Sequence, residues 1–409
     1  MKLLLLFAVL LLPLLGVEVH AVVPPSAPAP IGPYSPGIMA GDYLYVSGQG
    51  AHAPDGSMPD TFAGQVRQML ENVKAVVEAG GLTMEHVVYT QVYLEDMSKF
   101  AEMNAVYAQY FSKAPPARAT LGVAKLPNTT VEMNAVAVRD LSQRKPVAVP
   151  GYDPREPVSP GILTQDRLYV SAMRGRDLRT GTVPDDPAAQ VDAALDGVKA
   201  VLEAAGLQLA HMVFVNPYLT KQIPGRVMNK LYAARFEFGN TPARATIEVS
   251  SLPEGARIEY TGVAVRDLSQ RRAVRPKNMR PSPTASPCVF AGDTLFCSAK
   301  DAFIPGPNAG VFATTIEHQV RQSMRNLLDN LEEAGMDFST VVSTNVYLDD
   351  IADFQGMNRI YAKFFKTPFP ARTTVQQIAP VGERKTDGEG EYPALEQVSL
   401  IAVKGVSGR

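Results

Sequence analysis

The sequence predicts an α+β protein built from three tandem copies of one domain. Two observations carry that reading: short segments recur at a domain-sized interval, and within one copy strand and helix periods alternate in the order ββαβαββ. "PPARAT" at 115–120 returns as "TPARAT" at 241–246 and "FPARTT" at 369–374, so Arg118, Arg244 and Arg372 lie 126 and 128 residues apart. "VRDLSQR" occurs at 138–144 and again at 265–271, and "MNAVYAQYF", "MNKLYAARF" and "MNRIYAKFF" begin at Met103, Met228 and Met357. The 409 residues exceed one ordinary core, because domains cluster near ~100–150 residues. The copies are expected over 30–145, 146–272 and 273–409.

In the first copy each element has a local cause. "YLYVSG" (43–48) alternates and is β-branched, which predicts a strand, and the preceding Gly41-Asp42 suits a tight hairpin turn. Phe62, Val66, Met69, Val73, Val76 and Val77 recur at helical spacing, predicting a helix over 62–79 that Gly80-Gly81 stop. "HVVYTQVYL" (86–94) alternates as a strand, and 97–111 carries a second amphipathic helix. "RATLGVA" and "VEMNAVAV" read as two closing strands, which gives a sheet with both helices on one face.

The chain opens with Lys2 followed by an almost wholly apolar run, Leu3 to Gly16, and then "VEVHA", with Val19 and Ala21 placed as small residues before a cut. This predicts a secretory signal peptide over 1–21, the alternative being an uncleaved anchor; the apolar run is shorter than the ~20 residues that span a bilayer. A Pro-rich linker follows at 22–29. The mature protein is accordingly expected to be exported, periplasmic or secreted, with no membrane attachment.

A net charge of −2, with no basic block, gives no footprint for nucleic acid. No Ser-His pair, cysteine nucleophile, phosphate loop or metal-ligand spacing is present, and no metal is expected. Attention falls instead on the closing strands. Arg118 follows Pro116, which disfavours helix, and shares a strand face with Thr120; Glu132 shares a face with Asn134 on the next strand. An arginine and a carboxylate on neighbouring strands fit a structural salt bridge. They equally fit a site in which a guanidinium grips a ligand carboxylate and the acid handles water, suited to a small 2-oxo, 2-imino or 2-enamino acid.

Together "IGPYSPG", "YVSGQ", "NVKAVVEAGGL", "MNAVYAQYF", "PPARAT", "LP" and "VEMNAVAV" resemble the RidA (YjgF-type) family over nearly all of 30–140, with more substitutions in the later copies. The resemblance implies a chorismate-mutase-like fold, normally a trimer of short chains with sites in clefts between protomers. It also implies cofactor-independent hydrolysis of reactive enamines and imines to 2-oxo acids and ammonia. Three fused copies would then close the same ring as a monomeric pseudo-trimer. The alternatives are a non-catalytic small-carboxylate binding protein and, less favoured for want of a repeated histidine pair or basic groove, an endoribonuclease.

Carried over residue by residue, the resemblance makes Arg118 the carboxylate anchor and Glu132 the residue that positions water or shuttles protons. Tyr34 lines the site, Ser47 and Gly48 hold the ligand through their backbone, and Asn104 is a cleft-side amide. Thr120 stands where many members have cysteine. The second copy keeps Arg244, Glu259 and Asn229, but Val158 replaces the tyrosine and Ala172 the glycine. The third keeps Arg372 and Asn358; Ala285, Ala299 and Gln397 replace the tyrosine, glycine and glutamate, while Glu396 beside Gln397 would face the other way. It also carries a polar insert at 382–393. The expected order is therefore a complete first site, a partial second and an impaired third, with Arg118→Ala losing most turnover and Arg372→Ala mattering little. Finally, a two-residue turn at Gly292-Asp293 would make Cys288 and Cys297 cross-strand neighbours able to bond, the alternative being two buried free thiols.

Overall fold

A computed structural model describes residues 17–305, 311–378 and 393–407. The apolar leader through Gly16 and nearly all of the third-copy insert lie outside the described residues. Three mixed sheets follow one another along the chain. Each is backed on one face by two helices: α1 (Phe62–Ala79) and α2 (Phe100–Tyr110), α3 (Pro187–Ala204) and α4 (Gly225–Ala233), α5 (Ile316–Glu333) and α6 (Phe354–Tyr361). The long helices start where a side chain takes an orphan amide. Thr61 accepts from Gly64, Asp186 from Ala188 and Ala189, and Thr315 from His318. They stop at Gly81, Gly206 and Gly335, all at positive φ, which only glycine adopts without strain.

In the first sheet the strand order runs Val406–Ser407, Val17–Val22, Gly37–Ala40, Tyr43–Gln49, Val131–Val138, Val87–Leu94 and Ala117–Gly122. The hairpin closes on Ala40 opposite Tyr43, around Gly41-Asp42. Strands beyond the ββαβαββ pattern are Val17–Val22, Lys145–Val147 and Arg271–Val274, each of which adds ahead of a hairpin, and Val406–Ser407, which pairs parallel with Val17–Val22. The first of these falls inside the stretch read as leader, so a cut after Ala21 would remove nearly all of a strand that pairs with Gly37–Ala40. Cys288 and Cys297 are cross-strand partners and their sulfurs are bonded.

Each sheet buries its helix-side face in a core of its own. The opposite faces meet one another: Tyr45, Tyr169 and Phe296 pack in one inner cluster, and Tyr93, Tyr218 and Tyr347 in a second. Three repeated hydrogen bonds close the ring. The backbone N–H of Arg118 donates to Ser171 Oγ, that of Arg244 to Ser298 Oγ and that of Arg372 to Ser47 Oγ, each at 2.8 Å. Thus the arginine-bearing strand of each domain docks on the next domain, and that of the third docks on the first.

Candidate active site

This docking decides which side chains meet. The intervening strand Val87–Leu94 pairs Thr90 with Arg118 on one side and Tyr93 with Glu132 on the other. Cross-strand partners share a face, and positions 90 and 93 differ by an odd number, so they lie on opposite faces. Thr90 Oγ1 meets Tyr107 of α2, whereas Tyr93 belongs to the inner core. Arg118 and Glu132 therefore lie on opposite faces of their own sheet. The expectation that one copy supplies both groups of one site is corrected: each cleft takes its arginine from one domain and the residue at the glutamate position from the next.

Between the third and first domains, the buried Arg372 guanidinium lies over the rings of Tyr361 (4.9 Å) and Tyr34 (5.4 Å). Among the described residues its Nη2 has no hydrogen-bond partner, nor has the amide of the adjacent Asn358. Burial pulls the Arg372 pKa below the ordinary guanidinium value. Across from it stands Glu132, whose pKa burial pushes up to about 8 against the opposing pull of Arg372. Gly48 is needed here, since a Cβ would lie 1.9 Å from Glu132 Oε1. A cleft of about 420 Å³ is lined by Tyr34, Gly48 and Glu132 together with Pro28, Ile31 and His52, while Arg372 and Asn358 lie against Gly32 rather than among its lining residues. Burial also raises the Tyr34 phenol. The Ser47 hydroxyl, by contrast, is spent on the joint: it accepts from the Arg372 backbone and donates to Ser35 O at 2.5 Å.

Between the first and second domains the same framework is filled. Arg118 Nη2 donates to Asn104 Oδ1 (2.6 Å) and to Glu156 Oε2 (2.7 Å). Arg174 Nη2 holds the other Glu156 oxygen at 2.7 Å, its Nη1 reaches Glu254 at 3.0 Å, and its Nε lies 3.7 Å from Glu259. Burial raises Glu156, but Arg174 and Arg118 outweigh it and hold the carboxyl below its ordinary pKa. Glu259 is pushed up to about 8 by burial, opposed by Arg174 and assisted by Glu156. Asn104 thus serves this clasp, and Thr120 is buried with no hydrogen-bond partner for its hydroxyl among the described residues.

Between the second and third domains, Arg244 Nη1 donates to Asn229 Oδ1 at 2.8 Å and the guanidinium lies 5.1 Å from the Tyr232 ring. Gln397 stands at the glutamate position with its amide bonded to Thr246 O (3.2 Å) and Gln377 Oε1 (3.1 Å). Glu396 faces the helix side, where burial raises it to about 8 and the Ser323 hydroxyl opposes the rise. Among the described residues no carboxylate pairs with Arg244.

The arrangement therefore differs from the graded series expected of the copies. The acid, tyrosine and glycine of the first domain face the arginine and asparagine of the third, whose own acid is missing. Sequence reasoning also missed Glu156, which occupies the position of Gly32 two residues before Val158. The comparison of "EPVSP" with "GPYSP" was the available signal.

The model of the family described as "Endoribonuclease L-PSP" matches residues 24–139, 151–266 and 278–381. The chain belongs to this family, that of the RidA and YjgF proteins. Its relatives are single-domain proteins that each match one repeat's length. A RutC family protein of Pyrococcus horikoshii is 43% identical over 122 residues, covering 28% of this chain and 94% of the relative. The 2-iminobutanoate/2-iminopropanoate deaminase of Escherichia coli is 43% identical over 119 residues, covering 28% and 93%. Among solved structures, the YjgF gene product of E. coli is 40% identical, covers 30% of this chain and 99% of its own, and gives a TM-score of 0.29. E. coli TdcF, solved with bound serine, is 36% identical, covers 30% and 99%, and gives the same TM-score of 0.29.

Proposed function

We propose that the protein hydrolyses small 2-imino and 2-enamino acids to 2-oxo acids and ammonia, and that it does so in the cleft between its third and first domains. The observation that carries this reading is the pairing of a buried guanidinium, one nitrogen of which is unmatched among the described residues, with a carboxyl that it attracts, that burial raises to about 8, and that lines an open cleft beside Tyr34 and Gly48. The E. coli relative named as an imine deaminase supports the reaction class.

In this scheme Arg372 grips the substrate carboxylate and Asn358 steadies the grip. An enamine first takes a proton from solvent at C3 and becomes the iminium ion. Ionised Glu132 removes a proton from water as the oxygen bonds to C2, and the C=N electron pair moves onto the nitrogen. Protonated Glu132 then returns its proton to the nitrogen, the C2–N bond breaks, and ammonia leaves as the C2 hydroxyl gives its proton to solvent and becomes the carbonyl. No electron leaves the substrate, so no redox partner is needed. Timed ammonia release from imino acids made in situ by an amino-acid oxidase tests the proposal. Release no faster than in buffer would reject it.

A second reading applies to the cleft between the second and third domains. There Arg244 and Asn229 are present without an acid at the glutamate position, which favours carboxylate binding without hydrolysis.

A further inference from the structure

We propose that the cleft between the first and second domains is a latent carboxylate site, held shut by the chain's own Glu156 acting as its ligand. The reasoning starts from backbone position. In the third–first cleft the corresponding residue is Gly32, and a Cβ built there would lie 2.5 Å from Arg372 Nη2. A side chain at this position is therefore aimed at the guanidinium. In the second domain the residue is Glu156, and it delivers a carboxylate where a ligand's would sit.

Both of its oxygens are engaged at charge-assisted distances, 2.7 Å to Arg118 and 2.7 Å to Arg174, with only 7% of the side chain exposed. The occupant belongs to the loop that enters the second hairpin, and that loop is tied down. Ser159 N donates to Pro116 O at 3.2 Å, and Arg155 adopts a positive φ of 58° immediately before the glutamate. A tethered carboxylate has a high local concentration, so free acids do not displace it at ordinary concentrations.

The match is nonetheless incomplete. Arg118 uses Nη2 for both Asn104 and Glu156, while its Nη1 is buried with no partner among the described residues. An untethered small monocarboxylate could bridge the guanidinium's two nitrogens and satisfy both. The ligand class is thus a compact monocarboxylate such as acetate or pyruvate, taken without turnover, because Glu259 is already faced by Arg174.

The test removes the resident ligand and supplies a free one. Glu156→Gly is titrated with pyruvate by calorimetry beside the wild type and the double variant Glu156→Gly/Arg118→Ala. The expected result is one additional binding equivalent in Glu156→Gly, roughly ten- to a hundred-fold tighter than any residual binding at that cleft in the double variant. Thermal melting gives the second readout. Acetate, against chloride at equal ionic strength, should raise the melting temperature of Glu156→Gly more than that of the wild type, and leave the double variant at the wild-type response. Should Glu156→Gly be unfolded in buffer, acetate should refold it. No added equivalent together with no acetate-specific stabilisation, or a variant that stays unfolded in acetate, overturns the proposal. The readout is binding, so the result is independent of whether the third–first cleft hydrolyses imines.

Discussion

Exchanging the roles of two arginines gives the sharpest test of the split-site geometry. Arg372 and Arg118 occupy equivalent strands, yet one keeps a guanidinium nitrogen unmatched among the described residues and the other is held by a resident carboxylate. Replacing Arg372 by alanine removes the proposed substrate anchor. Loss of one buried, charge-assisted contact costs about 2–4 kcal/mol of transition-state binding, a roughly 30- to 1000-fold fall in kcat/KM. The fold should lose little, since Arg372 has no ion-pair partner among the described residues and forfeits mainly its contacts with Tyr361 and Tyr34, worth about 1 kcal/mol. Replacing Arg118 does the reverse. It strips one cation from buried Glu156, and removing one partner of a buried pair costs roughly 3–5 kcal/mol of stability. Arg174 stays in place to compensate part of that, so the lower end is expected. The two variants should therefore cross: Arg372→Ala folded but nearly inactive, Arg118→Ala less stable but active when assayed below its melting range. Denaturant unfolding and timed ammonia release on the same preparations measure both. If folded Arg118→Ala loses turnover as severely as Arg372→Ala, the assignment of the working cleft is wrong.

Four further outcomes are expected. Because burial raises Glu132 to about 8, only about a tenth is ionised at pH 7; kcat/KM should rise nearly tenfold per pH unit up to about pH 8 and level off above, and Glu132→Gln should be slow and flat. Gly48→Ala places a methyl group where Glu132 Oε1 now sits, so turnover should fall at least about tenfold while the unfolding midpoint changes little; unchanged turnover would show that the carboxyl has room to move. A chain beginning at Val17 should unfold at higher denaturant than one beginning at Val22, because the latter lacks the strand that buries Val19, a loss of about 2 kcal/mol or more; identical midpoints would reject a stabilising role for that strand. Glu396 is raised from 4.5 to about 8, so the folded state holds a proton the unfolded state has released between those values; stability should fall as pH rises across that window, and Glu396→Gln should flatten the fall.

Much of the fold can be read from residues alone. The helix at Phe62–Ala79 follows from its apolar spacing and terminal glycines, and the pairing of Cys288 with Cys297 follows from counting outward from Gly292-Asp293. The added edge strands are less legible. Lys145–Val147 contains a proline and is only three residues long, and Val17–Val22 adjoins an apolar run that reads as a leader. The site residues are visible as residue types but not as a constellation. Arg118 and Glu132 are on strands adjacent in sequence, which suggests proximity, but Val87–Leu94 lies between them in the sheet and its register sends them to opposite faces. Glu156 is hidden for a different reason. It lies in a proline-rich loop without periodicity, and its meaning depends on the neighbouring domain's guanidinium.

The split clefts change how divergence among fused repeats should be judged. In a ring of identical chains, losing the glutamate removes every site at once. In this chain each repeat contributes to two clefts, its arginine to one and the residue at its glutamate position to the other, so damage does not follow repeat boundaries. The third repeat has glutamine at position 397, and by inspection of that repeat alone it is defective; yet its Arg372 faces the most complete set of groups in the molecule. The first repeat keeps both residue types, but its arginine is committed to Glu156 in a clasp between domains. That clasp also bears on stability. Arg118, Arg174 and Arg176 together face buried Glu156 and part-exposed Glu254, while Glu259, raised to about 8, is mostly protonated near pH 7. Such a network fixes the relative placement of the first two domains more than it adds net stability, because desolvation offsets most of the attraction. A rigid first–second joint would in turn hold the first domain's Glu132 and Tyr34 in place for the arginine that arrives from the third. The cleft that gives up a ligand site is thus the one best placed to keep the remaining site in register.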